Sequence, residues 1–261
     1  MAKTDRVGQR FISKPKLGEY EFVIIEYNKR SDVWIQFQDE YRAKVHTTYQ
    51  HCVEGGVVNP YAPSVFGVGY MGQGEYKSSI NGEQTKEYLE WRSFIQRGCD
   101  KEYKRLHPTY EDVSVEEYLY NFQNYCVWRE QNYYEIGEEQ MCLDKDILVK
   151  GNKIYSRDTM IFVPQRINKL FLRNEGKRGE YPIGVSYNKR NDKYIAKCRI
   201  LDKNNNKTDV FLGYYNNSEQ AFKAYKQFKE QYIKEVADEY KGRIPDRLYE
   251  AMYTYEVEIT D

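Results

Sequence analysis

Alternation of apolar and other residues predicts a small β-rich region at the N-terminus. Residues 20–27 form an apolar run, and after a turn Val33, Ile35 and Phe37 occupy every second position. A period of two is typical of a strand with one buried face. We therefore expect residues 1–60 to form a small β-barrel or β-meander.

The alternation is clearest in the C-terminal third of the chain. Segments near 181–187, 193–201 and 210–215 predict three antiparallel strands, and the apolar period then lengthens to that of a helix beginning near Ser218. A single helix covers one face of a sheet, so the other face must be solvated or occupied by a partner.

Within the second of these strands, the alternation assigns side chains to the two faces. Ala196 and Cys198 point one way, toward the predicted helix, and Lys197 and Arg199 point the other way. The free face of the predicted sheet is therefore cationic.

Helical spacing of apolar residues predicts two helices in the middle of the chain, over 85–103 and 114–133. The second begins with a capping-box pattern, Ser114 followed by Glu117. The fold class is accordingly α+β. The predicted division is a β-rich domain (1–60), a Gly-rich linker (61–84), a helical region with a central ββα core (85–175), a three-stranded sheet with one helix (176–242) and a C-terminal tail (243–261), in which 253–259 alternates like a strand.

The ββα core is predicted from residues 142–171. A short strand ends in a charged cluster that begins at Asp144, a Gly151-Asn152 turn follows, and a second strand near 160–162 leads to a helix opened by Pro164. Proline suits the first turn of a helix, where its missing N–H would be unpaired. Polar side chains converging from a strand end and a helix can hold one divalent cation beside a phosphodiester.

Composition limits the class of protein. Of the 261 residues, 31% are charged and 40% are hydrophobic, and the formal net charge is zero. No run reaches the roughly 18–20 apolar residues that a membrane span requires. The five cysteines are scattered without a Cys-x-x-Cys pair, which disfavours a zinc site or a disulfide framework. We expect a cytoplasmic protein without a membrane partner.

The charge is unevenly distributed along the chain. Residues 166–229 carry 15 Lys and Arg against 6 Asp and Glu, a local net charge of +9, whereas residues 81–150 are acidic. A basic module in a neutral chain predicts a localised surface for a polyanion. A solvated lysine-rich face is the alternative interpretation.

The 142–171 stretch resembles the metal-binding core of HNH-type nucleases, in the diverged form found in phage proteins. In that resemblance, Asp144 matches the strand-end metal ligand, Asn152 the orienting Asn and Asn168 the last residue of the motif. The resemblance implies Mg²⁺ or another divalent cation, held by Asp144 and Asn168. Lys145 lies where the family has its general-base His. The candidate catalytic residues are therefore Asp144, Lys145, Asn152 and Asn168.

The lysine at position 145 separates two interpretations. Lysine is protonated near neutral pH and is a poor general base. One hypothesis is a metal-dependent nicking enzyme in which Lys145 stabilises charge on the phosphate. The other is a degenerate core that has lost cleavage and retained DNA binding.

Residues 181–225 resemble the DNA-binding domain of the plant APETALA/ethylene-response-factor type, which also occurs in phage homing endonucleases. The matching segments are 184–185, 193–196, 211–213 and 218–225. Ser186 and Asn188 occupy positions where the plant pattern has arginines. The candidate DNA-binding residues are Ser186, Asn188, Lys189, Arg190, Lys193, Lys197, Arg199 and Phe211.

Together these features predict a phage-type protein that binds double-stranded DNA in the host bacterial cytoplasm. The alternative function is a protein-interaction factor, such as a phage inhibitor of a host enzyme or defence system. Such a factor would use a protein partner on residues 1–60 and the acidic central segment.

Overall fold

A computed structural model describes residues 5–14, 19–172, 180–202 and 206–259. The chain divides into two compact units. The first comprises Met1–Asn132 and Lys153–Arg157, and the second comprises Tyr133–Asn152 and Asp158–Asp261. Both helices and antiparallel sheets are present, which confirms the α+β class.

The first unit begins with a four-stranded antiparallel sheet. Its strands lie in sequence order, with the first and fourth outermost, so this part is a meander. Val33, Ile35 and Phe37 are fully buried, as their alternation predicts, and they pack against Phe22 and Ile24. The strands are β1 (Arg10–Ser13), β2 (Tyr20–Lys29), β3 (Asp32–Phe37) and β4 (Lys44–Thr47), followed by helix α1 (Tyr49–Glu54).

The rest of the first unit is mainly helical. The first predicted helix is divided at Asp100, whose carboxylate caps the second part by accepting the N–H groups of Glu102 and Tyr103. Trp91, Phe94 and Phe122 are fully buried between the helices. The elements are strands β5 (Ser79–Ile80) and β6 (Glu83–Gln84), helices α2 (Lys86–Cys99) and α3 (Lys101–Leu106), strand β7 (Ser114–Val115), helix α4 (Phe122–Asn132) and two 3₁₀ turns (Pro108–Tyr110 and Glu117–Tyr120).

The prediction of a helix over 114–133 is wrong in its first half. Ser114 and Val115 form β7, which pairs in parallel with β9 (Ile154–Tyr155), and the helix begins only at Phe122. The Ser114 N–H donates to the Lys153 carbonyl and the Glu116 N–H to the Tyr155 carbonyl. These distant pairings replace the intrahelical bonds that the capping box would have started.

The Gly-rich segment 61–84, predicted to be a linker, is packed against the helices of the first unit. Gly69 lies so close to the Trp91 ring that a Cβ would be 2.9 Å from it. The buried Gln123 amide donates to the carbonyls of Met71 and Tyr76. The glycines here permit close packing as well as turns.

The second unit contains a ββα arrangement at the predicted place. Strands β8 (Met141–Asp144) and β10 (Ile161–Pro164) pair antiparallel, and helix α5 (Gln165–Phe171) follows directly, with Pro164 at its N-cap. Gly151 turns the chain between the strands with a φ of 78°. Ile161, Val163 and Ile167 are buried and join the strands to the helix.

The predicted three-stranded sheet is also present in the second unit. Strands β11 (Val185–Asn188), β12 (Lys193–Leu201) and β13 (Lys207–Tyr215) lie in that order, all antiparallel. Helix α6 (Ser218–Glu239) follows. Its cap is Asn217 rather than Ser218, since the Asn217 side chain accepts the Gln220 N–H.

The same helix α6 packs on both arrangements of the second unit. Its first half contacts the sheet through Tyr225, and its second half contributes Ile233 and Val236 to the core that contains Ile161 and Ile167. Each such fully buried aliphatic side chain stabilises the fold by roughly 1.5–3 kcal/mol. The sheet and the ββα arrangement therefore share one scaffold.

The C-terminal tail completes this core. Helix α7 (Asp246–Tyr253) buries Leu248 and Met252 against it. The strand expected over 253–259 is absent from the described residues there: the helix ends at Tyr253 and residues 255–258 have no regular structure. In the described part of the chain, no helix combines the length and apolar character needed to cross a membrane.

Candidate nucleic-acid interface and the ββα turn

The three-stranded sheet presents two chemically different faces. Ala196 and Cys198 of β12 are buried under helix α6. Lys197 and Arg199, which alternate with them along the strand, are exposed. This distribution confirms the assignment made from the alternation. It leaves a sheet face that no described element covers at these positions.

Strand register places most of the candidate DNA-binding residues on this exposed face. Ser186 lies opposite Ile195, Asn188 opposite Lys193, and Lys197 opposite Phe211. Lys189 and Arg190 are exposed in the turn that joins β11 to β12. We call this surface the cationic face; it consists of Ser186, Asn188, Lys193, Ile195, Lys197, Arg199, Asp209, Phe211 and Tyr214.

A β-bulge adds an aromatic residue that the sequence interpretation missed. The pairing shifts between Ala196 and Lys197, so Ile195 lies opposite Tyr214 and Lys197 lies opposite Phe211. The bulge brings Phe211 and Tyr214, three residues apart, to the same face, where simple alternation would separate them. Their rings meet edge to face with centroids 5.1 Å apart, and the two residues are 51% and 50% exposed.

Asp209 partly neutralises the cationic face. It lies opposite Arg199, and its carboxylate accepts from Arg199 Nε at 2.7 Å and from the Nη2 group at 3.0 Å. The hydrogen bond from Arg199 lowers the pKa of Asp209. Because both side chains are more than half exposed, this pair is weak and an incoming phosphate can compete for the guanidinium.

Two further candidates have local partners in the turn region. Lys193 Nζ donates to Asn216 Oδ1 at 2.5 Å, and the Arg190 N–H donates to Asn188 Oδ1 at 3.0 Å. The second bond fixes the turn, so Asn188 orients the backbone that carries Lys189 and Arg190. Its role in the fold is therefore conformational.

The candidate catalytic cluster lies where β8 ends. Asp144 is largely buried, and its Oδ1 accepts the backbone N–H groups of Asp146 and Ile147, each at 2.8 Å. Burial, followed by the nearby Asp146 carboxylate, raises the pKa of Asp144 to about 6. The carboxylate thus anchors the turn that follows the strand.

Lys145 and Asn152 close the loop between the strands. Lys145 Nζ lies 3.1 Å from Asp146 Oδ2 and donates to the Asn152 carbonyl, also at 3.1 Å. The Asn152 amide donates to the Lys145 carbonyl at 2.7 Å. Two of the four candidate catalytic residues therefore bond each other across the turn.

Asn168, on α5, contacts the face of β8 that carries Cys142. Burial raises the pKa of the Cys142 thiol, and a hydrogen bond with Asn168 opposes that rise. Cys142 and Asp144 share a face of the strand because they are two residues apart. The fold therefore brings Asn168 to the same side of the strand as Asp144.

The donor set fits a divalent cation poorly. One oxygen of Asp144 already accepts two N–H groups, and the neighbouring Asp146 carboxylate is already paired with the Lys145 ammonium, which supplies a positive charge there. A charge at that position opposes the binding of a second cation. Among the described residues, no group of three or more His, Cys, Asp and Glu side chains could hold a metal ion. The cluster is better suited to stabilising the turn.

Comparisons of the chain with protein-family models, with curated proteins and with solved structures gave no match in any of the three.

Proposed function

We propose that this protein binds double-stranded DNA through the cationic face. The observation that carries the proposal is the two-sidedness of β12, with Lys197 and Arg199 exposed and Ala196 and Cys198 buried under α6. The scaffold beneath is fixed, so the cations lie on a preformed surface. A preformed cationic surface suits a polyanion of regular shape.

The shape of the surface favours duplex DNA as that polyanion. A two- or three-stranded antiparallel sheet can enter the major groove, where Lys and Arg contact phosphates and guanine edges. Lys197 and the turn residues Lys189 and Arg190 supply phosphate contacts. Ser186 is short and polar, and the Phe211–Tyr214 pair supplies an apolar contact for a thymine methyl group or a sugar. Phosphate contacts would position the protein and base contacts would specify the site.

Cleavage is not part of this proposal. The resemblance to phage HNH-type nucleases supports a related ancestry for the ββα arrangement. The presence of Lys145 where that family has its general-base His supports a loss of the cleavage reaction. The Lys145 ammonium is engaged with Asp146 and the Asn152 carbonyl, so it takes no proton from water in this arrangement. We propose a degenerate core that supports the DNA-binding sheet.

Binding is tested by fluorescence anisotropy with a short labelled duplex across a series of salt concentrations. The wild type should lose affinity steeply as salt rises, and the double variant Lys197→Ala with Arg199→Ala should abolish binding. Lys223→Ala is a matched control, since Lys223 is an exposed lysine on α6. Unchanged affinity for the duplex in the double variant would exclude the cationic face as the DNA-binding surface. Stronger binding to single strands or to RNA would redirect the proposal to those ligands.

Cleavage is tested by incubating supercoiled plasmid with Mg²⁺ or Mn²⁺ and with either the wild type or Asp144→Ala. We expect no nicking above background with either protein. Nicking by the wild type that disappears in Asp144→Ala would show that Asp144, with Asn168, still supports a metal-dependent nuclease.

A protein partner on residues 1–60 is the second candidate function. The observation that favours it is Trp34, which is 38% exposed on the outer face of the N-terminal sheet and lies 5.1 Å from the His46 ring. Exposed tryptophan is common in protein interfaces. Loss of a captured partner on Trp34→Ala, with DNA binding unchanged, would support this function.

A further inference from the structure

The second unit contains a cavity that lies apart from the ββα turn and shares only Arg199 with the cationic face. It lies among α5, β12, α6 and the C-terminal segment, and its volume is about 310 Å³. Pockets for small organic ligands begin at about this size. Its apolar wall includes Leu170 of α5, Ile183, Leu201 of β12 and Val257.

A buried lysine lines this cavity. Lys229 belongs to α6 and is 9% exposed, which places it among the few buried charged residues of the described chain. In the described part of the chain, its ammonium has neither a hydrogen-bond acceptor nor a carboxylate partner. Burial lowers the pKa of Lys229, and the nearby Cys198 thiol opposes that shift slightly. Burying an unpaired ammonium costs free energy that a leucine or methionine would not cost.

The charges around the cavity are all of one sign. Lys169, Arg199 and Lys207 also line it, and none of its described lining residues is acidic. The neighbouring carboxylate of Glu230 is already engaged, since it accepts the Val257 N–H at 2.7 Å and lies 2.7 Å from Lys226 Nζ. Within the residues that the structure describes, the cavity therefore has no counter-charge for Lys229.

We propose that this cavity binds a small organic anion, a carboxylate with an apolar chain. The carboxylate would lie against the Lys229 ammonium and the chain against Leu170, Ile183 and Leu201. Such a ligand supplies the hydrogen-bond acceptor that the protein does not, and it covers apolar wall that water would otherwise contact. The proposal is separable from DNA binding, because Lys229 lies on α6, on the opposite side of the sheet from Lys197, and the tests below leave Arg199, which borders both surfaces, unchanged.

The test uses octanoate as the anionic probe and 1-octanol as the neutral probe of the same length. Binding of each to the full chain is followed by calorimetry and by amide chemical shifts. Octanoate should bind the wild type and weaken about tenfold or more in Lys229→Met, which keeps an apolar side chain of similar length but removes the charge. 1-Octanol should bind Lys229→Met at least as well as the wild type. Lys223→Met, on the exposed side of α6, should leave both affinities unchanged.

A second variant tests the position independently of charge. Ile183→Trp should fill the cavity and abolish the binding of both octanoate and 1-octanol. The changes in amide chemical shift that octanoate causes at Leu170 and Leu201 in the wild type should then disappear. Equal affinity of octanoate for the wild type and Lys229→Met would overturn the proposal. So would shift changes that lie away from the cavity, or octanoate binding that survives Ile183→Trp.

Discussion

Lys145 and Asn152 bond each other twice across the turn between β8 and β10. The Lys145 ammonium donates to the Asn152 carbonyl at 3.1 Å, and the Asn152 amide donates to the Lys145 carbonyl at 2.7 Å. A neutral histidine has one ring N–H to donate, whereas the Lys145 ammonium donates to Asp146 and to the Asn152 carbonyl at once. The hydrogen bonds that Lys145 makes across this turn therefore explain why a lysine occupies the position.

This relationship predicts that Lys145→Met destabilises the protein. The variant leaves the largely buried ammonium site without its donor to Asp146 and Asn152, which should cost about 1–3 kcal/mol in the free energy of unfolding. Urea unfolding near neutral pH measures it. Lys153→Met is the matched control, since Lys153 is exposed and should change stability by less than about 0.5 kcal/mol. Equal stability of the two variants would contradict the holding role.

Asp209→Asn should strengthen DNA binding. The carboxylate pairs with Arg199 and repels phosphate, so removing its charge frees one cation on the cationic face. The slope of log affinity against log salt should steepen by about one unit, the value for one additional phosphate contact. Anisotropy titrations at several salt concentrations measure this slope. An unchanged or weaker affinity would show that Arg199 does not contact the duplex.

Gly184→Ala should disrupt the packing of α6 on the sheet. Gly184 has a φ of 76°, and a Cβ there would lie 2.1 Å from Tyr225 Cδ2. Strain and collision together should cost about 2–4 kcal/mol. Gly151→Ala provides the comparison: its φ is 78° and a Cβ would meet nothing within 4 Å, so its cost should be about 1 kcal/mol. Similar thermal unfolding of the two variants would show that the contact with Tyr225 relaxes freely.

Lys229→Met should stabilise the protein in the absence of ligand, and more so at neutral than at alkaline pH. The pKa of Lys229 is lower in the folded chain than in the unfolded chain. Between these two pKa values the unfolded chain binds more protons, so wild-type stability rises with pH there. Below the folded pKa both states carry the charge and the full cost of burial is present. The gain should be about 1 kcal/mol or more near pH 7.

Chemical denaturation of wild type and Lys229→Met near pH 7 and near pH 10 measures this difference. The gain should shrink at the higher pH, since the lowered pKa of Lys229 makes the folded wild type bury less charge there. A variant that is less stable than the wild type at both pH values would mean that the ammonium has a favourable partner.

The sequence predicts local features of this fold well. The alternation of Ala196 and Cys198 with Lys197 and Arg199 follows from the two faces of a strand, and the ββα elements follow from a short strand, a Gly turn and Pro164. These signals lie within a few residues of each other. The local sequence pattern is then enough to identify these elements.

Features that depend on distant pairing could not be predicted. Ser114 has a helix-capping pattern, yet its N–H pairs with the carbonyl of Lys153, about forty residues away. The bulge in β13 depends on the register with β12, so Tyr214 was missed. Asp209 opposite Arg199 and the absence of an acid near Lys229 likewise depend on tertiary neighbours. In each case a contact between residues far apart in the sequence decides the structure.

The short strand β9 has a consequence for the inheritance of this chain. Residues 153–157 belong to the first unit, while the residues on both sides belong to the second, so the backbone crosses at 132/133, 152/153 and 157/158. A fragment ending at residue 132 would lose the Tyr155 hydroxyl that accepts from Arg97 and the Arg157 carbonyl that accepts from Trp128. Genetic recombination at a single point cannot separate the two units, because any one crossover leaves part of one unit attached to the other. The two units must be inherited, and must evolve, together.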